Sequence, residues 1–215
     1  MDGKQLQVTE VEKDIGVQVQ STLRPSAQCV EAAKKANIVL GQITRAFSYR
    51  DKKTFVNLYR QYVRPHLEFA VPAWSPWTAG DIALLEKVQM RALKMTSGMG
   101  GMSYEQQLHD LDLLSLQDRR TQFDLVQTFK IIHGIDKVNY SEWFEMVGQN
   151  PGRLTRTTSD PLNILRKHSN NEVRRNFFSN RVVEKWNSLP AEVKRVKKVS
   201  TFKSSVGDLI KKKLI

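Results

Sequence analysis

Hydrophobic and polar positions change period along the chain. Residues 4–19 read as two short strands; in the second, Val11, Ile15, Val17 and Val19 share one face, and Glu10, Glu12, Asp14, Gln18 and Gln20 share the other. Period-two alternation marks a half-buried strand. From Pro25 the period becomes helical: Cys29, Ala32, Ala36, Leu40, Ile43 and Phe47 form one apolar stripe, with Lys34 and Arg45 on the opposite side. Ser48 and Asp51 have the Ser-x-x-Asp spacing of a capping box and predict a second helix with Phe55, Tyr59 and Tyr62 buried. At about 100° per residue, Lys53, Arg60 and Arg64 then face away from that stripe. Pro65 is expected to kink or end the helix.

Further on, Pro72 and Pro76 bracket Trp74 in a turn-rich stretch, and Thr78 with Asp81 opens a helix carrying Ile82, Leu85, Val88, Ala92 and Met95 on one side. Gly98, Gly100 and Gly101 stop that helix and predict a flexible connector. Ser103 with Gln106, and Ser115 with Asp118, are two more capping boxes; the second opens a long helix with Phe123, Val126, Phe129 and Ile132 as its apolar positions. Repeated start signals ahead of periodic segments make the middle of the chain helical. Residues 148–171 lose periodicity and read as a linker, and a final unit follows with a last helix from Ser200. The expected fold is mainly α. It has a short N-terminal β-hairpin (residues 1–22), a multi-helix region (23–147), the linker (148–171) and a small basic C-terminal unit (172–215).

Charge changes this picture. Residues 1–149 hold 18 Lys/Arg against 17 Asp/Glu, whereas residues 150–215 hold 16 against 5, so nearly all of the +12 net charge lies in the last third. Segregated positive charge suggests a polyanionic partner, most commonly nucleic acid; a solvated basic tail is the other reading. No apolar run is long enough to span a bilayer, and the polar opening residues do not resemble a secretory signal, so the chain reads as intracellular, nuclear or cytoplasmic.

Catalytic chemistry finds little support. The four histidines, His66, His109, His133 and His168, are scattered, and no His-x-x-x-His or Gly-x-Ser-x-Gly pattern occurs. Glu10, Glu12 and Asp14 share a strand face without a further ligand and read as solvated; Asp110 and Asp112 lack a third partner. Cys29, the single cysteine, sits on an apolar stripe and reads as a buried thiol. No metal, cofactor or enzymatic activity is expected.

Several segments resemble the region downstream of the polymerase core in jockey-like, LINE-type non-LTR retrotransposon reverse transcriptases. They include Glu12-Lys-Asp-Ile-Gly-Val17, Gln28-Cys-Val-Glu-Ala-Ala-Lys-Lys-Ala-Asn37 and Leu58-Tyr-Arg-Gln-Tyr-Val-Arg-Pro-His-Leu-Glu-Phe69. Ala73-Trp-Ser-Pro76, Leu85-Glu-Lys-Val-Gln-Met-Arg-Ala-Leu-Lys-Met95, Leu114-Ser-Leu-Gln-Asp-Arg-Arg120, Arg175-Asn-Phe-Phe178 and Trp186-Asn-Ser-Leu-Pro190 come next, in the family's order. The resemblance implies that residues 4–19 match strands near the primer grip, and that the helices from Pro25 match the thumb, which holds the template–primer duplex. The family's RNA-directed DNA polymerase activity uses a Phe/Tyr-Ala-Asp-Asp motif for two metals; this chain contains no adjacent aspartates.

The resulting expectation is a truncated reverse-transcriptase fragment that binds RNA or DNA through phosphates, without sequence preference. The residues expected to carry it are Lys34, Arg45, Lys53, Arg60 and Arg64, with Arg174, Arg175, Lys194, Arg195, Lys197 and Lys198 in the basic unit. Phe177, Phe178 and Trp186 are candidates for base stacking but read more readily as core, as do Trp74 and Trp77. The alternatives are a helical interaction scaffold that self-associates or binds a parent polymerase, and an element remnant without function.

Overall fold

A computed structural model of the chain describes residues 8–149 and 160–215. The part of the strand prediction before Val8 and residues 150–159 of the expected linker lie outside these residues. The fold is mainly helical with one N-terminal hairpin, and it divides into two compact units, residues 1–116 and 117–215.

In the first unit, β1 (Val11–Asp14) pairs antiparallel with β2 (Val17–Gln20), Val11 opposite Gln20 and Asp14 opposite Val17. The expected continuous alternation through residue 19 is broken by a two-residue turn, because Ile15 (φ 44°) and Gly16 (φ 87°) both take left-handed backbone, the requirement of a tight hairpin. Gly16 is doubly constrained, since a Cβ there would lie 3.1 Å from the Phe69 ring. The turn also divides the expected apolar face: Val11 lies opposite Gln20 on one side of the hairpin, and Val17 and Val19 lie opposite Asp14 and Glu12 on the other, with Val11, Ile15 and Val19 exposed. The hairpin is tied to α1 (Ser26–Ala46) by side-chain amides: Gln18 N–H donates to Gln28 Oε1 (2.8 Å), and Ala27 N–H to Gln20 Oε1 (2.9 Å). The α1 stripe is buried as its spacing predicts, from Cys29 through Ile43; Phe47 falls beyond the last turn and is exposed.

A second helix starts three residues later than the Ser48 signal implies. Asp51 is its cap, accepting from Thr54 N–H (3.0 Å), and α2 runs Lys52–Leu58. These hydrogen bonds hold the Asp51 carboxyl below its ordinary value. Pro65 does not end the helical run. Instead Tyr59–Val63 forms a π-helical turn leading into α3 (Arg64–Glu68). A proline ring crowds the carbonyl four residues back and supplies no N–H, and a wider turn relieves both problems. The extra residue shifts the buried stripe to Phe55, Tyr59, Val63 and Leu67, leaving Tyr62, expected in the core, 55% exposed.

After the short α4 (Val71–Trp74), α5 (Ala79–Lys94) packs Leu85, Val88, Ala92 and Leu93 inward and is capped by Thr78. Trp74 is core, its indole N–H donating to Phe69 O (2.7 Å). The glycine-rich connector is not loose. Met99 is fully buried with Val56, Leu93, Leu111 and Leu113, and Gly98 (φ 79°) and Gly101 (φ 81°) supply the reversals around it. Arg50 holds the ends of two helices at once: its side chain donates to Met95 O (3.0 Å), Thr44 O (3.4 Å) and Phe47 O (3.3 Å). The Ser103–Gln106 capping box opens α6 (Tyr104–Asp110) as predicted. Buried Gln89 accepts from the Tyr59 hydroxyl and donates to Tyr104 Oη (2.9 Å) and Leu114 O (3.0 Å). Burial and the nearby Glu86 carboxylate push the Tyr104 phenol far above its ordinary value.

In the second unit, α7 (Leu116–Ile132) buries Leu125, Phe129 and Ile131, so its inward face is rotated from the predicted Phe123–Val126 line. The helix groups with the C-terminal elements rather than with the preceding helices expected to share its domain. The reason is specific. Phe129 stacks on Phe202 (4.3 Å between centroids), and Asp124 forms a two-point pair with Arg181. After α8 (Tyr140–Trp143) come α9 (Glu172–Asn176), α10 (Phe178–Arg181), α11 (Val183–Asn187) and α12 (Ala191–Lys194). The last helix, α13 (Val199–Lys211), packs Phe202, Val206 and Ile210 into a core with Phe144, Val182, Val183, Trp186 and Leu189.

Part of the expected linker is built into this core. Ile164 bridges Met146, and Leu165 N–H donates to Glu145 O (2.8 Å). The Trp186-Asn-Ser-Leu-Pro190 segment holds the same strip from the other side. Trp186 Nε1 donates to Leu162 O (2.8 Å), while Asn187 accepts from Ile164 N–H and donates to Ile164 O, both at 2.9 Å. Asn187 thus satisfies both backbone groups of one residue, as a neighbouring strand would.

Candidate nucleic-acid interface

The residues expected to contact phosphate divide into three groups once their surroundings are known. Lys34, Arg45 and Lys53 are exposed on α1 and α2, and none makes an ion pair among the described residues. Eleven residues separate Lys34 from Arg45, which on an α-helix places them on nearly the same face, about 16 Å apart. Arg174, Arg175, Lys197 and Lys198 are also exposed. The Arg174 guanidinium lies 5.3 Å from the Phe177 ring centroid. Arginine in such a position keeps its donors available to an anion, because the ring contacts only the flat face of the group.

A second group is occupied internally. Arg60 donates to Leu111 O (3.3 Å) and Asp112 O (3.0 Å), satisfying carbonyls where α6 ends. Arg64 pairs with Glu68 (3.6 Å) within α3. The π-helical turn lies between the positions from which their direction was inferred, so the uniform rotation behind that expectation does not apply. Arg195 pairs with Asp160 (3.0 Å) while staying half in solvent.

Lys194 corrects the expectation outright. It is 1% exposed, and its ammonium donates to Asn163 Oδ1 (2.6 Å), Asn187 O (3.4 Å) and Asp160 Oδ2 (3.5 Å). Burial holds its pKa below the ordinary lysine value, opposed by Asp160. A side chain enclosed in this way is an internal fastener and does not reach a phosphate. Phe178 and Trp186 are likewise core, as their apolar neighbours suggested, whereas Phe177 is 42% exposed.

Sequence reasoning missed two cations, Arg166 and Lys167. With Arg175, which was expected to bind, and with His168, Ser169 and Asn180, they line a cleft of about 550 Å³ in the second unit. Both missed residues lie in the expected linker, where no periodicity draws attention to them. A signal was nonetheless present: Arg166-Lys-His168 is a run of basic side chains directly after the apolar Ile164-Leu165.

Other chemistry is sparse. Among the described residues, no three His, Cys, Asp or Glu side chains converge as a metal site, and no helix is long and apolar enough to cross a membrane. Asp110, one of the paired acids considered above, is engaged by Lys52 (2.7 Å). The chain matched no family model, no curated protein and no solved structure.

Proposed function

We propose that this protein binds RNA or DNA through its phosphates, with little sequence preference, as a relative of the thumb and downstream region of LINE-type reverse transcriptases. The observation that supports the reading best is the placement of charge: Arg166, Lys167, Arg174, Arg175, Lys197 and Lys198 are all exposed in the second unit. Lys34, Arg45 and Lys53 add exposed cations in the first. Such residues neutralise phosphates and release counterions, so affinity falls steeply with salt and depends weakly on sequence. Arg60, Arg64 and Lys194 have internal roles and drop out of the binding set.

A salt titration of binding to mixed-sequence RNA and DNA tests this. The expected result is tight binding at low salt, a linear fall of log affinity with log salt, and similar affinities for unrelated sequences. Failure to bind either polymer at low salt overturns the reading. A second reading, self-association as a scaffold, has one observation in its favour: Val11, Ile15, Val19 and Leu23 are each exposed on or beside the hairpin. A concentration-dependent dimer, with no nucleic-acid binding, supports that alternative.

A further inference from the structure

The geometry points to the cleft lined by Arg166, Lys167, His168 and Arg175 as a seat for one nucleotide of a single strand, its phosphate among the cations and its base against the neighbouring flat side chains. This rests on the nucleic-acid reading above and specifies where, and in what form, the polymer is held.

Three observations carry it. The cleft gathers three permanent cations and a histidine, and among the described residues no carboxylate lines it. Elsewhere an acid intervenes among the cations: Asp160 between Lys194 and Arg195, Asp124 at Arg181, Glu68 at Arg64. Uncompensated like charges around a concavity repel one another, and an anion placed between them relieves that repulsion. Arginine matches phosphate in particular because its fork donates two parallel hydrogen bonds.

Size is the second. A volume of about 550 Å³ is larger than a bare phosphate needs and lies within the range of sites that hold small organic ligands.

The third is the flat surface beside it. Asn180, which lines the cleft, donates to Arg174 O (2.7 Å), and Arg174 stands next to the cleft residue Arg175. Arg174 lies over Phe177, and Phe177 runs parallel to Trp143, with a 6° interplanar angle and 6.3 Å between centroids. Arg174 and Phe177 are exposed within three residues of the cleft residue Arg175, and planar groups near a phosphate seat match unpaired bases, whose faces are free; in a duplex those faces are covered by stacking.

The segments on either side of the cleft's Arg166–Asn170 stretch are held by hydrogen bonds. The strip leading into Arg166 is bonded to Glu145, Asn187 and Trp186, and Asn171 caps α9 through Val173 N–H (2.8 Å). Little ordering of this strip and of α9 is therefore required on binding.

The test measures binding of the full chain to a mixed-sequence single-stranded RNA and to a duplex of the same sequence by fluorescence anisotropy. Replacing Arg166, Lys167 and Arg175 together by Ala should weaken single-strand binding by about a hundredfold at low salt. Removing equal charge elsewhere in the unit, with K185A/K203A/K212A, should cost about tenfold or less through the general field alone. Phe177→Leu should lower single-strand affinity about fivefold and leave the duplex unchanged. Arg175→Lys keeps the charge but loses the fork, and should weaken single-strand binding about threefold while the melting curve stays the same. Equal losses from the two triple variants, with wild-type binding intact, overturn the cleft while leaving general nucleic-acid binding in place. An equal effect of Phe177→Leu on strand and duplex overturns the single-strand assignment. No wild-type binding to either polymer overturns the broader reading and this one with it.

Discussion

Arg181 and Asp124 meet in a two-point ion pair, Nε to Oδ2 and Nη2 to Oδ1, both at 2.8 Å, which joins α10 to α7 across 57 residues of sequence. Both side chains are largely shielded from water. Removing one partner of such a pair leaves a buried charge without compensation and costs about 3 kcal/mol. Arg181→Ala should therefore lower the urea midpoint of the second unit strongly. Arg181→Leu combined with Asp124→Leu should recover most of that loss. Equal destabilisation by the single and double replacements would show that packing, rather than unpaired charge, dominates here.

Lys194 makes stability depend on alkaline pH. Its folded-state pKa lies below the ordinary 10.5, so between that lowered value and 10.5 the unfolded chain binds more protons than the folded one. Stability contributed by this group therefore rises with pH through that window and is lost as pH falls through the folded-state value. Tyr104, whose phenol is raised, acts in the opposite sense above about 10, since the unfolded chain ionises first. Comparing unfolding curves of the wild type and Lys194→Met across alkaline pH isolates the lysine. The variant should lack the rise, and its RNA affinity at neutral pH should match the wild type.

Arg60 and Lys53 separate structure from binding within one continuous helical run. Arg60→Ala removes two charge-assisted hydrogen bonds to the carbonyls of Leu111 and Asp112 and should cost about 2 kcal/mol. Its effect on nucleic-acid affinity should be negligible. Lys53→Ala should do the reverse, leaving the melting temperature unchanged and weakening binding about twofold at low salt. A strong loss of affinity in Arg60→Ala with unchanged stability would return Arg60 to the binding set.

Asn187 ties the strip before the cleft to the core of its unit. In Asn187→Ala the Ile164 N–H loses its acceptor and Ile164 O its donor. Hydrogen exchange at the Ile164 amide should accelerate at least tenfold, with a stability loss of about 2 kcal/mol. Because Arg166 and Lys167 come directly after this strip, single-strand affinity should fall as well. Unchanged exchange at Ile164 would mean that the bridge to Met146 holds the strip alone.

Gly16 offers a stability test confined to the hairpin. Gly16→Ala must place a Cβ at φ 87° and 3.1 Å from the Phe69 ring. A cost of about 1–2 kcal/mol is expected, read as a lower thermal midpoint of the first unit.

What the sequence determined by itself is local. The α1 stripe, the Ser103–Gln106 capping box and the N-terminal hairpin all arise from residues within a few positions of one another, where helical period, cap spacing and backbone sterics act. The segregation of charge into the last third is equally visible in the chain. Tertiary structure decided which cations are available, because their partners lie far away in sequence: Arg60 with carbonyls more than fifty residues on, Lys194 and Arg195 with Asp160. It also moved the buried face from Tyr62 to Val63 through one π-helical turn, and it turned an expected linker into the wall of a basic cleft. A lysine in a sequence carries only its charge; whether that charge faces solvent or an asparagine depends on contacts that form when distant segments pack.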